Sequence, residues 1–247
     1  MSHITDSFEQ KNKYKINNEL ASGNLFKAMK LNYCKNIIFS SSCLVYRNKT
    51  NQPESKKKLI GLSPYAKNKI IIEKKILEYS KKFKFNYCIL RFFNVAGALG
   101  GSEKIGFGRK AGNRIIPIIL DSILNNKKLF INGTDHKTND GTCVRDFVHP
   151  IDLVIFIEKL IKYFDNGDFK EVINLGSGYG FSIKQLINLC IKKTNIKKLI
   201  VKINDKRKGD APILIANVTK AKKFGWSIAN SNINNIINST YDWIKKN

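Results

Sequence analysis

In the stretch LSPYAKNKIIIEK, Leu62 to Lys74, a tyrosine stands four residues before a lysine: Tyr65 and Lys69. On a helix that spacing puts the two side chains one turn apart on one face. An ammonium beside a phenol favours the phenolate and lowers the tyrosine pKa towards that of a working general base. The pair alone decides nothing, because the chain holds 38 lysines, six arginines and nine tyrosines. About one Tyr-x-x-x-Lys pair is expected by accident in such a composition. The sequence contains a second, Tyr241 with Lys245. Context separates them. Tyr65 follows Ser42 by 23 residues (65 − 42), and Ser42 is the last of three serines closing the apolar run NIIFSSS. If that run is a buried parallel strand, its C-terminal end faces the ligand crevice, and the first turns of the Tyr65 helix border the same crevice. A serine hydroxyl there can hold a substrate hydroxyl and relay its proton. Tyr241 lies near the end of the chain with no such partner.

The elements that must position these residues can be read from periodicity. Apolar residues at helical spacing predict a helix over Glu19 to Lys30, followed by the strand NIIFSSS. After a polar loop, Ser63-Pro64 supplies an N-cap and a first helical residue, opening a helix through Ser80. The apolar run NYCILRFFNV is the next strand. Strand, helix, strand at this spacing is a right-handed parallel unit, hence an α/β fold. Further on come a glycine-rich loop from Gly97 to Gly112, the apolar helix RIIPIILDSIL, a strand-to-helix passage in DGTCVRDFVHPIDLVIFIEKLI, and a strand entering a glycine loop in VINLGSGYG. These read as a smaller second lobe. GSGYG has a glycine at every second residue and does not fit the GxGxxG dinucleotide fingerprint, so it reads as a structural turn.

Composition narrows the function class. The 43% hydrophobic and 26% charged content is that of a globular protein, and 247 residues allow one large domain or two small ones. No apolar run is long enough to span a bilayer, and the first residues lack the apolar stretch of a signal peptide, so a cytoplasmic location is expected. The net charge of +25 raises the question of nucleic-acid binding. The charge is spread along the whole chain and is nearly all lysine, and the abundance of Lys, Asn and Ile together reflects A/T-rich codons. Arginine, the better reader of phosphate and guanine, is scarce. A solvated lysine surface is the better account, and no nucleic-acid partner is expected. Five scattered cysteines without a CxxC and three histidines without ligand spacing indicate neither a disulfide framework nor a metal site.

The order IIFSSS, VY, SPYAKNK, LRFFNVAGA, DGTCVRDFVHPIDL, INLGSGYGFS and RKGD resembles the UDP-glucose 4-epimerases, a family of the extended short-chain dehydrogenase/reductase superfamily. The likeness runs from about Tyr14 onward, and the TNDGTCVRDFVHPIDL segment is its most specific part. It implies a partial doubly wound (Rossmann-type) parallel sheet with a smaller α/β substrate-binding lobe. Residues 1–93 would be the C-terminal part of the NAD-binding domain. Residues 94–247 would bind the UDP-sugar, with some elements returning to the first domain. It further implies NAD as cofactor, UDP-glucose and UDP-galactose as substrates, and a homodimer whose helix bundle includes the Tyr65 helix. Tyr65 would take the proton of the sugar 4-hydroxyl while hydride passes to NAD. The 4-keto sugar then turns over, and hydride returns to its other face. Lys69 would hold the nicotinamide ribose and depress the tyrosine pKa, and Ser42 would bridge the sugar hydroxyl and Tyr65. By position Phe93 and Asn18 match cofactor contacts, Asn94 a UDP-sugar contact, and Arg145, Arg207 and Asp210 the residues that hold diphosphate and ribose.

The sequence departs from the family pattern in several places. No GxxGxxG strand–turn–helix precedes the Tyr65 region, so the chain is expected to be a truncated or split epimerase, unable to hold NAD tightly or turn over alone. A separately encoded N-terminal NAD-binding segment is the expected complement. A non-catalytic UDP-sugar-binding remnant is the rival expectation. Arg47 replaces a glycine after VY, and Arg114 stands near the diphosphate where Asn or His is usual. Asn132 replaces an aromatic beside the uracil. Leu214 occupies the position that gates sugar size, so another nucleotide-sugar epimerase, acting on N-acetylated sugars, stays open.

Overall fold

The computed structural model describes residues 4–46, 51–55, 59–99, 105–106, 114–196, 198–207 and 210–246. Short helices α1 (Ile4–Glu9) and α2 (Lys11–Tyr14) lead through a π-helical turn, Lys15–Leu20, into α3 (Ala21–Leu31). The helix expected over Glu19 to Lys30 is therefore α only from Ala21. Asn17 and Ser22 bond their side chains to the carbonyls of Lys13 and Asn18, four residues back. Such bonds compete with regular helix geometry. Strand β1 (Asn36–Ser42) runs through a 3₁₀ turn and a loop to α4 (Pro64–Phe83), and β2 (Asn86–Phe92) follows. Ser63 Oγ accepts from the Ala66 amide at 3.1 Å with Pro64 in the first turn, the cap the sequence predicts. The helix runs three residues past Ser80 and stops where Lys84 turns left-handed at φ 55°.

Strands β3 (Asn94–Val95), β4 (Leu129–Asn132), β5 (Val144–Arg145) and β6 (Phe147–Val148) alternate with helices α5 (Ile115–Leu124) and α6 (Pro150–Asp165). Then come β7 (Lys170–Leu175), β8 (Phe181–Ser182), α7 (Ile183–Thr194), β9 (Val201–Asn204), β10 (Ile213–Leu214), α8 (Thr219–Lys223) and α9 (Ile233–Lys246). The main sheet has the order β1-β2-β7, all parallel, with Ser42 level with Phe92. The central strand β2 is buried on both faces, as parallel sheets favour, whereas β1, expected as a buried strand, is half-buried along Ile37–Phe39 with Asn36 and Ser40 exposed, because it stands at the edge of the sheet among the described residues. Along β2, Ile89 joins Phe26, Met29, Ile72 and Ile76 of α3 and α4, while its neighbours Cys88 and Leu90 join Leu153, Phe156 and Leu160 of α6. The period-2 alternation of one strand thus builds two cores. A third core unites α5, α7 and α9 with Leu129 and Ile131 of β4. Small parallel and antiparallel pairings, β3 with β6 and β10-β5-β8, join that region to the ends of the main sheet. Among the described residues no helix is long and apolar enough to cross a membrane.

Candidate active site

The C-terminal ends of β1 and β2, the start of α4, the N-terminus of α5 and strand β4 enclose a cleft of about 670 Å³. Ser42, Tyr65, Lys69, Asn18, Phe93, Asn94, Arg114, Asn132, Arg145, Arg207 and Asp210 all line it. Residues separated by up to 192 positions in the chain therefore meet in one concavity (210 − 18). Leu214 is buried in β10 and is not among the lining residues. Arg47 falls outside the described residues.

On the sheet side, Tyr65 and Ser42 line the cleft together. Ser42 Oγ accepts from the Leu44 amide at 3.2 Å, fixing the hydroxyl at the strand end. Tyr65 is only 8% exposed. Burial pushes its pKa up to about 12, with the neighbouring Ser42 side chain pulling the other way. The depressed phenol expected from the Tyr–Lys spacing is not what this arrangement produces. Lys69 explains why: its Nζ donates to the Ser40 carbonyl at 2.6 Å and lies 4.6 Å over the Phe39 ring, while the Tyr65 ring centroid is 5.7 Å away. Spacing put both side chains on one helical face but could not reveal that the ammonium is tied to the strand. Burial also lowers the Lys69 pKa, partly offset by Glu73 one turn further on.

Beneath these groups lies a buried charge pair absent from the sequence reading. Arg91 of β2 grips Glu73 of α4 through two bonds, Nε to Oε1 at 3.1 Å and Nη2 to Oε2 at 2.7 Å. Both side chains are under 5% exposed. Ser41 Oγ donates to the same carboxylate, and Arg91 Nη1 donates to the Tyr46 hydroxyl, which donates to Asn174. Helix α4 is thereby clamped to the strand that carries Ser42.

Part of the cleft lining is cationic. Arg145 Nη2 donates to Asp210 Oδ1 at 2.7 Å and Nη1 to the Val144 carbonyl at 2.8 Å, so its carboxylate partner is Asp210. With its amide turned so that oxygen faces Arg207, Asn132 accepts from Arg207 Nη2 and Nε, both at 3.1 Å. Arg114 is the exposed residue preceding α5. Three guanidinium groups lining one cleft suit a phosphorylated ligand, which calls for charge-assisted, preferably bidentate donors. Cys143 adds a thiol to this lining, 3.2 Å from His136 Nε2; burial raises its pKa.

The glycine loop after β7 is settled by Asp146. Its fully buried carboxylate accepts from the Ser177 amide and hydroxyl, the Gly178 amide and the Ala216 amide at 2.6–3.0 Å. A β-carbon at Gly176 would stand 2.6 Å from Asp146 Oδ2. The loop's amides already hold an internal anion, so GSGYG is a structural turn. The backbone carbonyl of Asp146 also receives both the amide and the Nδ2 of Asn94. One residue thus connects the turn, β10 and the cleft.

The profile of the NAD dependent epimerase/dehydratase family matches residues 1–176, which is 71% of the 247-residue chain. The chain belongs to that family. A UDP-glucose 4-epimerase of Halalkalibacterium halodurans is 31% identical over 252 aligned residues, spanning 99% of this chain and 74% of that protein. The structure of a UDP-glucose 4-epimerase from Brucella ovis in complex with NAD superposes with a TM-score of 0.90 at 27% identity, over 99% of this chain and 75% of that one. One from Bifidobacterium longum in complex with NAD+ and UDP gives 0.85 at 27% identity, over 100% and 74%. The α/β, Rossmann-type architecture expected from the sequence is the one observed.

Proposed function

We propose that this chain carries the UDP-hexose-binding and proton-transfer machinery of a UDP-glucose 4-epimerase, interconverting UDP-glucose and UDP-galactose with NAD. The observation that carries the reading is the convergence of Ser42, Tyr65 and Lys69 with Arg114, Arg145 and Arg207 on one cleft. In this reading the hexose 4-hydroxyl lies between Ser42 and Tyr65, and the phenolic oxygen accepts its proton and later returns it. The diphosphate lies against Arg145 and Arg207, with Asp210 and Asn132 holding those guanidinium groups in place. Asn94 bounds the sugar.

The donor set at the sheet end suits the nicotinamide riboside of NAD: the Lys69 ammonium and Tyr65 phenol for the ribose, with Phe93 and Asn18 lining the same end. NAD, when bound, supplies the hydride acceptor and donor at C4. Burial favours the protonated phenol, so the form that accepts the sugar proton is the phenolate, left when the phenol's own proton passes to solvent, and a positive charge brought beside the ring stabilises it. Lys69 supplies that charge by exchanging the Ser40 carbonyl for the vicinity of Tyr65.

The same proposal places the cofactor portion in residues 1–93 and the UDP-sugar portion in 94–247. A homodimer is part of it, supported by Leu62 and Leu77 at α4 and Leu25 of α3, each at least 40% exposed. Strand β1 is an edge of the main sheet among the described residues, where a further parallel strand, in this chain or a second one, would add. The tethering of Lys69 and the neutral Tyr65 favour one second reading, a chain that binds UDP-sugars without turnover. Calorimetric titration of UDP-glucose with and without NAD separates them. Affinity that rises with NAD supports the epimerase, and affinity indifferent to NAD supports the binder. No affinity in either condition defeats both.

A further inference from the structure

Strand β9 is paired on one side only, against β4. The amides of Leu129 and Gly133 donate to the carbonyls of Ile200 and Asn204 at 2.8 and 2.9 Å, so the even-numbered residues of this stretch turn their backbone towards β4. The alternate residues of a strand turn theirs the other way. Val201 and Ile203 therefore aim their N–H and C=O groups at an edge where no further strand lies among the described residues. Their side chains are open as well, Val201 at 40% and Ile203 at 66% exposed. The register gives the reason. Leu129 and Ile131, level with these two residues, sit in the core with α5 and α7, whereas neither Val201 nor Ile203 belongs to it. The apolar face of this small sheet thus runs one strand further than its cover. By alternation Lys202 emerges on the opposite face, and it too is exposed.

We propose that the outer edge of β9 is a docking site for an extended acidic segment of a partner protein, which adds a third strand to the β4–β9 sheet. Open N–H and C=O groups at strand spacing match another peptide backbone, and a nucleic-acid strand offers no donors at that repeat. Val201 and Ile203 call for apolar residues at every second position on the covered face, and Lys202 calls for an acidic residue between them. A second copy of this chain is a poor occupant. Lysine on an edge strand acts against self-pairing, and two chains of net charge +25 repel each other. The edge stands apart from the reading of the cleft and does not depend on it.

The test is the fluorescence anisotropy of a labelled peptide of about six residues, a usual strand length, in which valine and glutamate alternate, titrated with the full chain. One control peptide carries the same residues in blocks, and a second is N-methylated at alternate positions so that one backbone edge loses its donors. Attraction to a lysine-rich surface alone would hold all three peptides equally. Strand addition predicts that both controls bind roughly fivefold or more weaker, the effect of losing one net hydrogen bond. Lys202→Glu should weaken binding of the alternating peptide about tenfold and admit one in which valine and lysine alternate. Ile203→Pro removes an outward N–H that β4 does not use, so it should abolish peptide binding with an unchanged circular dichroism spectrum. Equal binding of the three peptides, or wild-type binding by Lys202→Glu, overturns the proposal whatever becomes of Ile203→Pro. Absence of peptide binding, with a concentration-dependent dimer in sedimentation that Ile203→Pro removes, assigns the edge to a second copy and overturns it as well.

Discussion

Substituting Glu73 by Gln removes one charge from the clamp under the site and changes almost nothing in shape. Arg91 would keep its charge with its side chain only 4% exposed, having lost a carboxylate that accepts at 3.1 and 2.7 Å. Breaking one partner of a buried pair costs about 3–5 kcal/mol, because the remaining charge stays uncompensated away from water. For a chain of this size that is on the order of 10 °C in melting midpoint. The residual Tyr46 contact at 2.7 Å softens the loss without replacing a counter-charge. The assay is urea unfolding followed by circular dichroism, comparing Glu73→Gln, Arg91→Met and the double variant Glu73→Leu/Arg91→Met. The double variant carries no orphaned charge, so it should be more stable than either single one. A loss below about 1 kcal/mol in Glu73→Gln, or a double variant as unstable as the sum of the singles, would refute a net role for the pair.

Other expectations follow from the same geometry. The Tyr65 phenol, ordinarily at 10.0, should ionise near 12, measured as the difference in ultraviolet titration between wild type and Tyr65→Phe. Lys69→Met should leave that titration in place, because the ammonium is bonded to Ser40. Since the fold holds this proton more tightly than the unfolded chain, the contribution to stability is full below pH 10.0 and is lost as pH rises towards about 12. Asp146→Ala should cost about 3 kcal/mol or more in urea unfolding, leaving three amides and one hydroxyl without their acceptor. Of the five thiols only Cys34 is exposed, so a disulfide reagent should titrate one rapidly in the folded protein and five after denaturation.

Much of this site was legible in the sequence because its parts are local. The Ser63-Pro64 cap, the apolar strand ending in Ser42 and the one-turn spacing of Tyr65 and Lys69 each depend on a few neighbouring residues, and each is found in place. What escaped depends on distant partners. Asp146 gathers amides from positions 177, 178 and 216, Arg145 pairs with Asp210, and Glu73 meets Arg91 across 18 residues. The Tyr65 pKa follows the same rule. Spacing reports which charges share a helix face, whereas burial by the surrounding fold decides which way the phenol moves.

The most direct test of the account is to incubate the protein, supplemented with a separately expressed N-terminal NAD-binding segment of a UDP-glucose 4-epimerase, with UDP-galactose and NAD and to follow the anomeric proton of UDP-glucose by nuclear magnetic resonance, for wild type and Tyr65→Phe. The account predicts product with wild type and none with Tyr65→Phe, while both bind UDP equally, since the phenol touches the sugar and the arginines hold the diphosphate. Equal turnover by the two proteins, or UDP bound by neither, would contradict it.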